Sequence, residues 1–223
     1  MTTMTKMANR MIGALAVVAL VGCGSLNEQS PAAGVAQMVK TRLDARKGTA
    51  APAAPVLTRA AVDANPGAFL LMSPAGGGAP ASMVTAGTNG NRVTWISADQ
   101  VTVTLEFGLL VATRGFAQDL MAADISQVIQ ALVTSGGTAQ RTVEFLDGLD
   151  QISTQLLQCS IASGGMETLT ILEKAYQTEK FEEECANESI GFTNVYWIND
   201  DGRIVKSRQL VSRGIGFVEI AAP

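Results

Sequence analysis

The strongest constraint on the fold is a period-two run between Val101 and Val111. Val101, Val103, Leu105, Phe107, Leu109 and Val111 share one parity, while Thr102, Thr104 and Glu106 take the other. Successive side chains of a strand point to opposite faces, so such a run lays one apolar face on a core. Gly108 inside it is read as a bulge or bend. Strand-like segments follow at Thr138 to Leu146, Ile152 to Cys159 and Leu169 to Phe181, after a brief apolar run at Ala68 to Met72. Near the end, Phe192 to Asn199 leads into Asp200-Asp201-Gly202, and Arg203 to Ser212 returns; Asp-Gly is a strong hairpin signal. Ile215 to Ile220 supplies a last strand. Gly76-Gly77-Gly78 reads as a loop and Thr88 to Asn91 as a turn, while Val128, Ile129 and Leu132 recur at helical spacing within Ile125 to Val133. The fold class is therefore mostly β: antiparallel sheets forming a sandwich or partly open barrel, in one globular domain over residues 57–223.

The N-terminus places that domain. Lys6 and Arg10 precede an apolar stretch from Met11 to Val21, which ends in Leu20-Val21-Gly22-Cys23. This is a secretory signal closed by a lipobox; the stretch is short of the roughly 18 apolar residues that a spanning helix needs. Residues 1–22 are expected to be removed and Cys23 to be lipidated. Several acyl chains (palmitate among them) anchor stably where one chain binds only marginally. Gly24, rather than aspartate, after the cysteine points to the outer membrane, facing the periplasm. Residues 23–56 form the tether, with one short N-terminal amphipathic helix marked by Val35, Met38, Val39 and Leu43, ended at Gly48, and an Ala/Pro spacer beyond it.

Charge and rare residues exclude several functions. Losing Lys6 and Arg10 leaves 14 basic residues against 20 acids, which gives no basic footprint for nucleic acid and none for anionic lipid. The chain has no histidine, hence no Ser-His-Asp triad, no Cys-His pair and no histidine-held metal. No metal, cofactor or catalytic residue is indicated. With Cys23 lipidated, Cys159 and Cys185 remain, and an even pair in an oxidising compartment reads as a disulfide. It closes a loop of about 27 residues, worth roughly 3.5 kcal/mol in the chain-entropy account. Glu179, Glu182, Glu183, Glu184 and Glu188 read as a solvated acidic strand end, and their spacing matches no calcium loop. Trp95, Tyr196, Trp197 and Phe192 suit a core better than a sugar-stacking platform. Lys206-Ser207 cannot act as a dyad, because neighbours on a strand face opposite ways. Enzymatic chemistry is left to a tyrosine or lysine base, or to paired carboxylates drawn from Asp119, Glu144, Asp200 and Asp201, which need a separation of about 5 to 10 Å across a cleft.

Three stretches, in order and behind a lipobox, carry a resemblance to a known family. They are Trp95-Ile96-Ser97-Ala98-Asp99 leading into Gly108-Leu109-Leu110-Val111-Ala112-Thr113-Arg114-Gly115-Phe116-Ala117-Gln118-Asp119-Leu120; Glu184-Cys185; and Phe192-Thr193-Asn194-Val195-Tyr196-Trp197 with Lys206-Ser207-Arg208-Gln209. Over residues 57 to 221 the chain resembles the YjbF/GfcB-type lipoproteins of exopolysaccharide and group 4 capsule operons. Leu210 departs from the resemblance, standing where an aromatic is expected. The family implies a mostly β outer-membrane lipoprotein that assists polysaccharide secretion or assembly, by binding rather than catalysis, with polysaccharide or export-machinery proteins as partners. On that basis Thr113, Asp119, Asn194, Ser207 and Gln209 are expected to bring two segments together into one contact surface. The alternative is a periplasmic glycan-modifying enzyme built on the carboxylates above.

Overall fold

The structure, a computed structural model, describes residues 57–146 and 151–223. Cys23, the leader at residues 1–22 and the amphipathic segment around residues 35–43 lie outside the described residues. The first element is a short helix, α1 (Arg59–Ala64), inside a domain whose sequence reads as mostly β. Thr58 caps it by accepting from the Ala61 amide, and Arg59 pairs with Asp63 one turn on, at 2.7 Å. With six residues and only Val62 buried, it is too short to announce itself by periodicity.

Twelve strands follow: β1 (Phe69–Pro74), β2 (Ala81–Asn89), β3 (Arg92–Ser97), β4 (Thr102–Glu106), β5 (Leu109–Arg114), β6 (Leu120–Asp124), then helix α2 (Ser126–Val133), β7 (Gly137–Leu146), β8 (Ile152–Ile171), β9 (Lys174–Ala186), β10 (Gly191–Asn199), β11 (Ile204–Ser212) and β12 (Gly216–Ala221). They form one antiparallel sheet in the order β5-β4-β3-β2-β1-β12-β11-β10-β9-β8-β7-β6. Chain neighbours pair throughout, except where β12 pairs with β1. The sheet curls until its two margins, β5 and β6, lie side by side, and so nearly closes a barrel around the core. That architecture meets the expected mostly β, partly open barrel.

The turns set two rims. Gly90, Phe107-Gly108, Leu172-Glu173, the Asp200-Gly202 loop and α2 fall at one rim; the connections after β5, β9 and β11 fall at the other. Two strand readings are corrected here. The run from Val101 to Val111 is a hairpin: Phe107 (φ 52°) and Gly108 (φ 86°) both take positive φ, the signature of a type I′ turn. Gly108 also lies under Ile204, whose Cβ would sit 2.8 Å from an added Cβ. The segment from Leu169 to Phe181 is likewise two strands, split at Leu172 (φ 46°) and Glu173 (φ 66°). Neither residue is a usual turn former, so no turn is legible there. The other expected turns fall in place, with Gly202 (φ 74°) ending the β10–β11 loop.

Candidate functional site

Parity along the strands drives polar groups into the interior. On β9, Phe181, Glu183 and Cys185 share the buried face while Glu182 and Glu184 point out. On β7, Arg141 lies between buried Ala139 and Val143. The acidic strand end is therefore not uniformly solvated, because Glu183 is in phase with two core residues. Its carboxylate pairs with Arg141 Nη1 at 3.0 Å and accepts from Asn194 Nδ2 at 2.8 Å and Tyr196 Oη at 2.5 Å. All four side chains are at most 2% exposed. An unpaired buried charge costs several kcal/mol, so each ion needs its partner and its hydrogen bonds. Burial, and then the adjacent carboxylate, push the Tyr196 phenol well above its ordinary value, which keeps it a neutral donor. Burial works most strongly against the Arg141 charge, but Glu183 and Tyr196 together outweigh it and hold the guanidinium above its ordinary value. Arg141 Nε has no partner among the described residues.

The network reaches the margin strand. Arg141 Nη2 donates to the Leu110 carbonyl at 3.2 Å, and Gln209 Oε1 accepts from the Leu110 amide at 2.7 Å. Gln209 Nε2 donates to the Gly108 carbonyl and to Ser207 Oγ, each at 2.9 Å. Side chains thus satisfy backbone groups of β5 and of the turn before it that no neighbouring strand pairs, as buried polar groups require. Further along the same margin, Thr113 Oγ1 accepts from the Leu120 amide at 3.0 Å and donates to Asp119 at 2.7 Å. Asp119 also accepts from the Gly115 and Phe116 amides, and Arg114 donates to the Leu120 and Met121 carbonyls. Among the described residues no backbone ladder joins β5 to β6; these side chains bridge the seam.

The expected contact residues come together, but inside. The two segments meet where Gln209 binds Leu110 and Gly108. Thr113, Asn194, Ser207 and Gln209 are buried, and only Asp119 is part-exposed. In this arrangement they hold backbone groups rather than present a face to solvent. The proposed carboxylates do not form one cluster: Asp119 is in the seam loop at one rim, Glu144 is on β7 opposite Ala122 towards that same rim, and Asp200 and Asp201 are at the other rim, with a six-residue strand between, on the order of 20 Å. Ser207 points inward while Lys206 lies outside against Glu219 at 3.0 Å and over the Trp197 ring. Tyr196 belongs to the core; Trp197 faces out and donates to Glu167 at 2.8 Å. Sequence reading missed Arg141 and Glu183 as a pair, although each sits in phase with apolar neighbours, and that phase was the available signal.

Cys159 and Cys185 are direct partners in the β8–β9 ladder and are joined, S–S 2.00 Å and Cα–Cα 4.0 Å. Their sulfurs lie beside the Glu183 carboxylate, but being spent on each other they offer no thiolate to a metal. At the rim with α2 an open groove of about 420 Å³ is lined mainly by apolar side chains, among them Phe107, Leu132, Val133, Met166 and Ile204. Among the described residues no helix is long and apolar enough to cross a membrane.

The sequence profile of a family described as group 4 capsule polysaccharide lipoprotein gfcB, YjbF, matches residues 37–222. The chain belongs to that family. YjbF membership accounts for the ordered stretches noted in the sequence, and the lipoprotein description is consistent with the lipobox expected to end at Cys23. The crystal structure of the hypothetical lipoprotein YmcC from Escherichia coli (K12) shares the fold, with a TM-score of 0.64 and 16% identity over 82% of this chain and 92% of that one. No curated protein sequence is significantly similar to the chain.

Proposed function

We propose that this YjbF-family protein is an accessory lipoprotein of exopolysaccharide or capsule secretion and assembly, anchored through acyl chains on Cys23 in the outer membrane and facing the periplasm. Family membership over residues 37–222 carries the reading; the signal peptide and lipobox at residues 1–23 support the location. It works by contact rather than by catalysis. What supports this is the sealing of its most chemically capable groups: Arg141, Glu183 and Tyr196 are bonded to one another and at most 2% exposed, whereas a catalytic group must touch substrate. The partner is an export-machinery protein or the polysaccharide itself.

Deleting the gene tests the role: surface polysaccharide falls, and the wild-type chain restores it. Cys23→Ser moves the protein to the soluble periplasmic fraction; retention in outer membranes through a salt wash rejects the anchor. Turnover of capsule glycan by the purified protein, abolished by Asp119→Ala or Asp200→Ala, would hand the role to an enzyme.

A further inference from the structure

Three of the six large apolar side chains most exposed among the described residues surround one groove: Phe107 at 58%, Val133 at 79% and Met166 at 69% exposure. They come from three separate elements, the β4–β5 turn, the end of α2 and the middle of β8. Leu109, Leu132, Phe181 and Ile204 line the same groove. Single exposed apolar residues are ordinary on a surface; convergence on one concavity marks a docking site.

The rim says what docks. Glu179 and Asp200 line the groove beside the apolar residues, and no described ion pair matches either carboxylate with a cation. Glu179 accepts from the neutral Ser163 hydroxyl. Two carboxylates beside an apolar channel repel an anionic lipid surface. An apolar lining also offers little to a hydroxyl-rich sugar chain, whose polar groups would lose water without gaining partners. We propose that this groove receives an amphipathic segment of a partner protein, its apolar side chains seated between Phe107, Val133 and Met166 and its Lys or Arg side chains against Glu179 and Asp200. Basic residues on the partner supply orientation and on-rate, while the apolar anchors supply most of the affinity. The proposal rests on the reading that this family member acts by contact, and it assigns that contact to one place.

The test uses the full mature chain carrying Cys23→Ser and two fluorescent peptides, one an amphipathic Leu/Lys helix and the other its Leu/Glu counterpart, titrated by anisotropy at about 0.15 M salt. The Leu/Lys peptide binds at least tenfold more tightly than the Leu/Glu peptide. Val133→Glu with Met166→Glu abolishes the difference, and Glu179→Lys with Asp200→Lys reverses it. Because Val133 and Met166 are exposed, the first pair leaves the circular dichroism and thermal midpoint unchanged. Equal binding of both peptides, or binding indifferent to Val133→Glu with Met166→Glu, overturns the proposal. So does a dimer in sedimentation that the same pair dissociates, which gives the groove to a second copy, or vesicle binding lost with that pair, which gives it to lipid. In cells, the pair lowers surface polysaccharide at normal protein level. Normal secretion by the pair alongside loss in the deletion strain rejects the groove and leaves the accessory role standing; normal secretion in the deletion strain rejects the role itself.

Discussion

Replacing Glu183 with glutamine should be among the most damaging single substitutions in this protein, although it exchanges one oxygen for an amide nitrogen. The new side chain keeps a carbonyl oxygen that can accept from Tyr196 or Asn194, so the main loss is the charge that faces Arg141 at 3.0 Å. A guanidinium 2% exposed cannot recover by moving to water. Removing one partner of a buried pair costs about 3–5 kcal/mol, a large part of the roughly 5–15 kcal/mol that holds a domain folded. With a urea slope of about 2 kcal/mol/M, the midpoint falls by roughly 2 M. Adding Arg141→Met removes the stranded charge, and the double variant should regain about 2 kcal/mol over Glu183→Gln alone, the coupling expected of groups in direct contact. The assay is urea unfolding of the Cys23→Ser chain followed by tryptophan fluorescence. A loss below about 1 kcal/mol for Glu183→Gln, or a thermodynamic cycle with no coupling, refutes the reasoning that the network is held by this pair.

Tyr196 gives a pH signature. Its folded-state value is raised, so its contribution is present in full below the unfolded value of about 10 and declines as pH rises from there toward the folded value; Tyr196→Phe should flatten that part of the alkaline limb in pH-dependent urea midpoints. Gly108→Ala forces a Cβ to within 2.8 Å of Ile204 Cβ at φ 86° and should cost more than about 1 kcal/mol, read as a lower thermal midpoint. Asp119→Ala frees the Thr113 hydroxyl and the Gly115 and Phe116 amides, so hydrogen exchange should accelerate across residues 113–121 while β8 and β9 keep their protection. Replacing both Cys159 and Cys185 with alanine should cost about 2–4 kcal/mol in urea without changing the far-ultraviolet spectrum.

Legibility followed the turn chemistry. Asp200-Asp201-Gly202 revealed the β10–β11 hairpin because Gly202 needs positive φ, and α2 showed through Val128, Ile129 and Leu132. The β8–β9 turn was invisible, since leucine and glutamate hold its positive-φ positions and the flanking ladder, rather than local preference, imposes them. Apparent alternation ran straight through Phe107 and Gly108 because a two-residue turn preserves parity. Glu183 was hidden by its acidic neighbours: composition pointed to solvent, whereas strand phase put every second residue of that run in the core. The meeting of the Gly108–Asp119 segment with the terminal hairpin was legible; that it happens in the interior depended on the curl of the sheet, which no local pattern encodes.

The strand order also constrains how the chain is completed. Every ladder but one joins strands consecutive in the chain, so all pairings except β1 with β12 can zip locally soon after the strands emerge, the kind of low-separation contact that forms quickly. β1 must wait. Its partner β12 is six residues long, and until it emerges Phe69–Pro74 and Ile204–Ser212 each keep an unpaired edge. Unpaired edges invite pairing with other chains. A protein arranged this way stays sensitive to a chaperone, and to loss of β12, up to the moment that strand arrives.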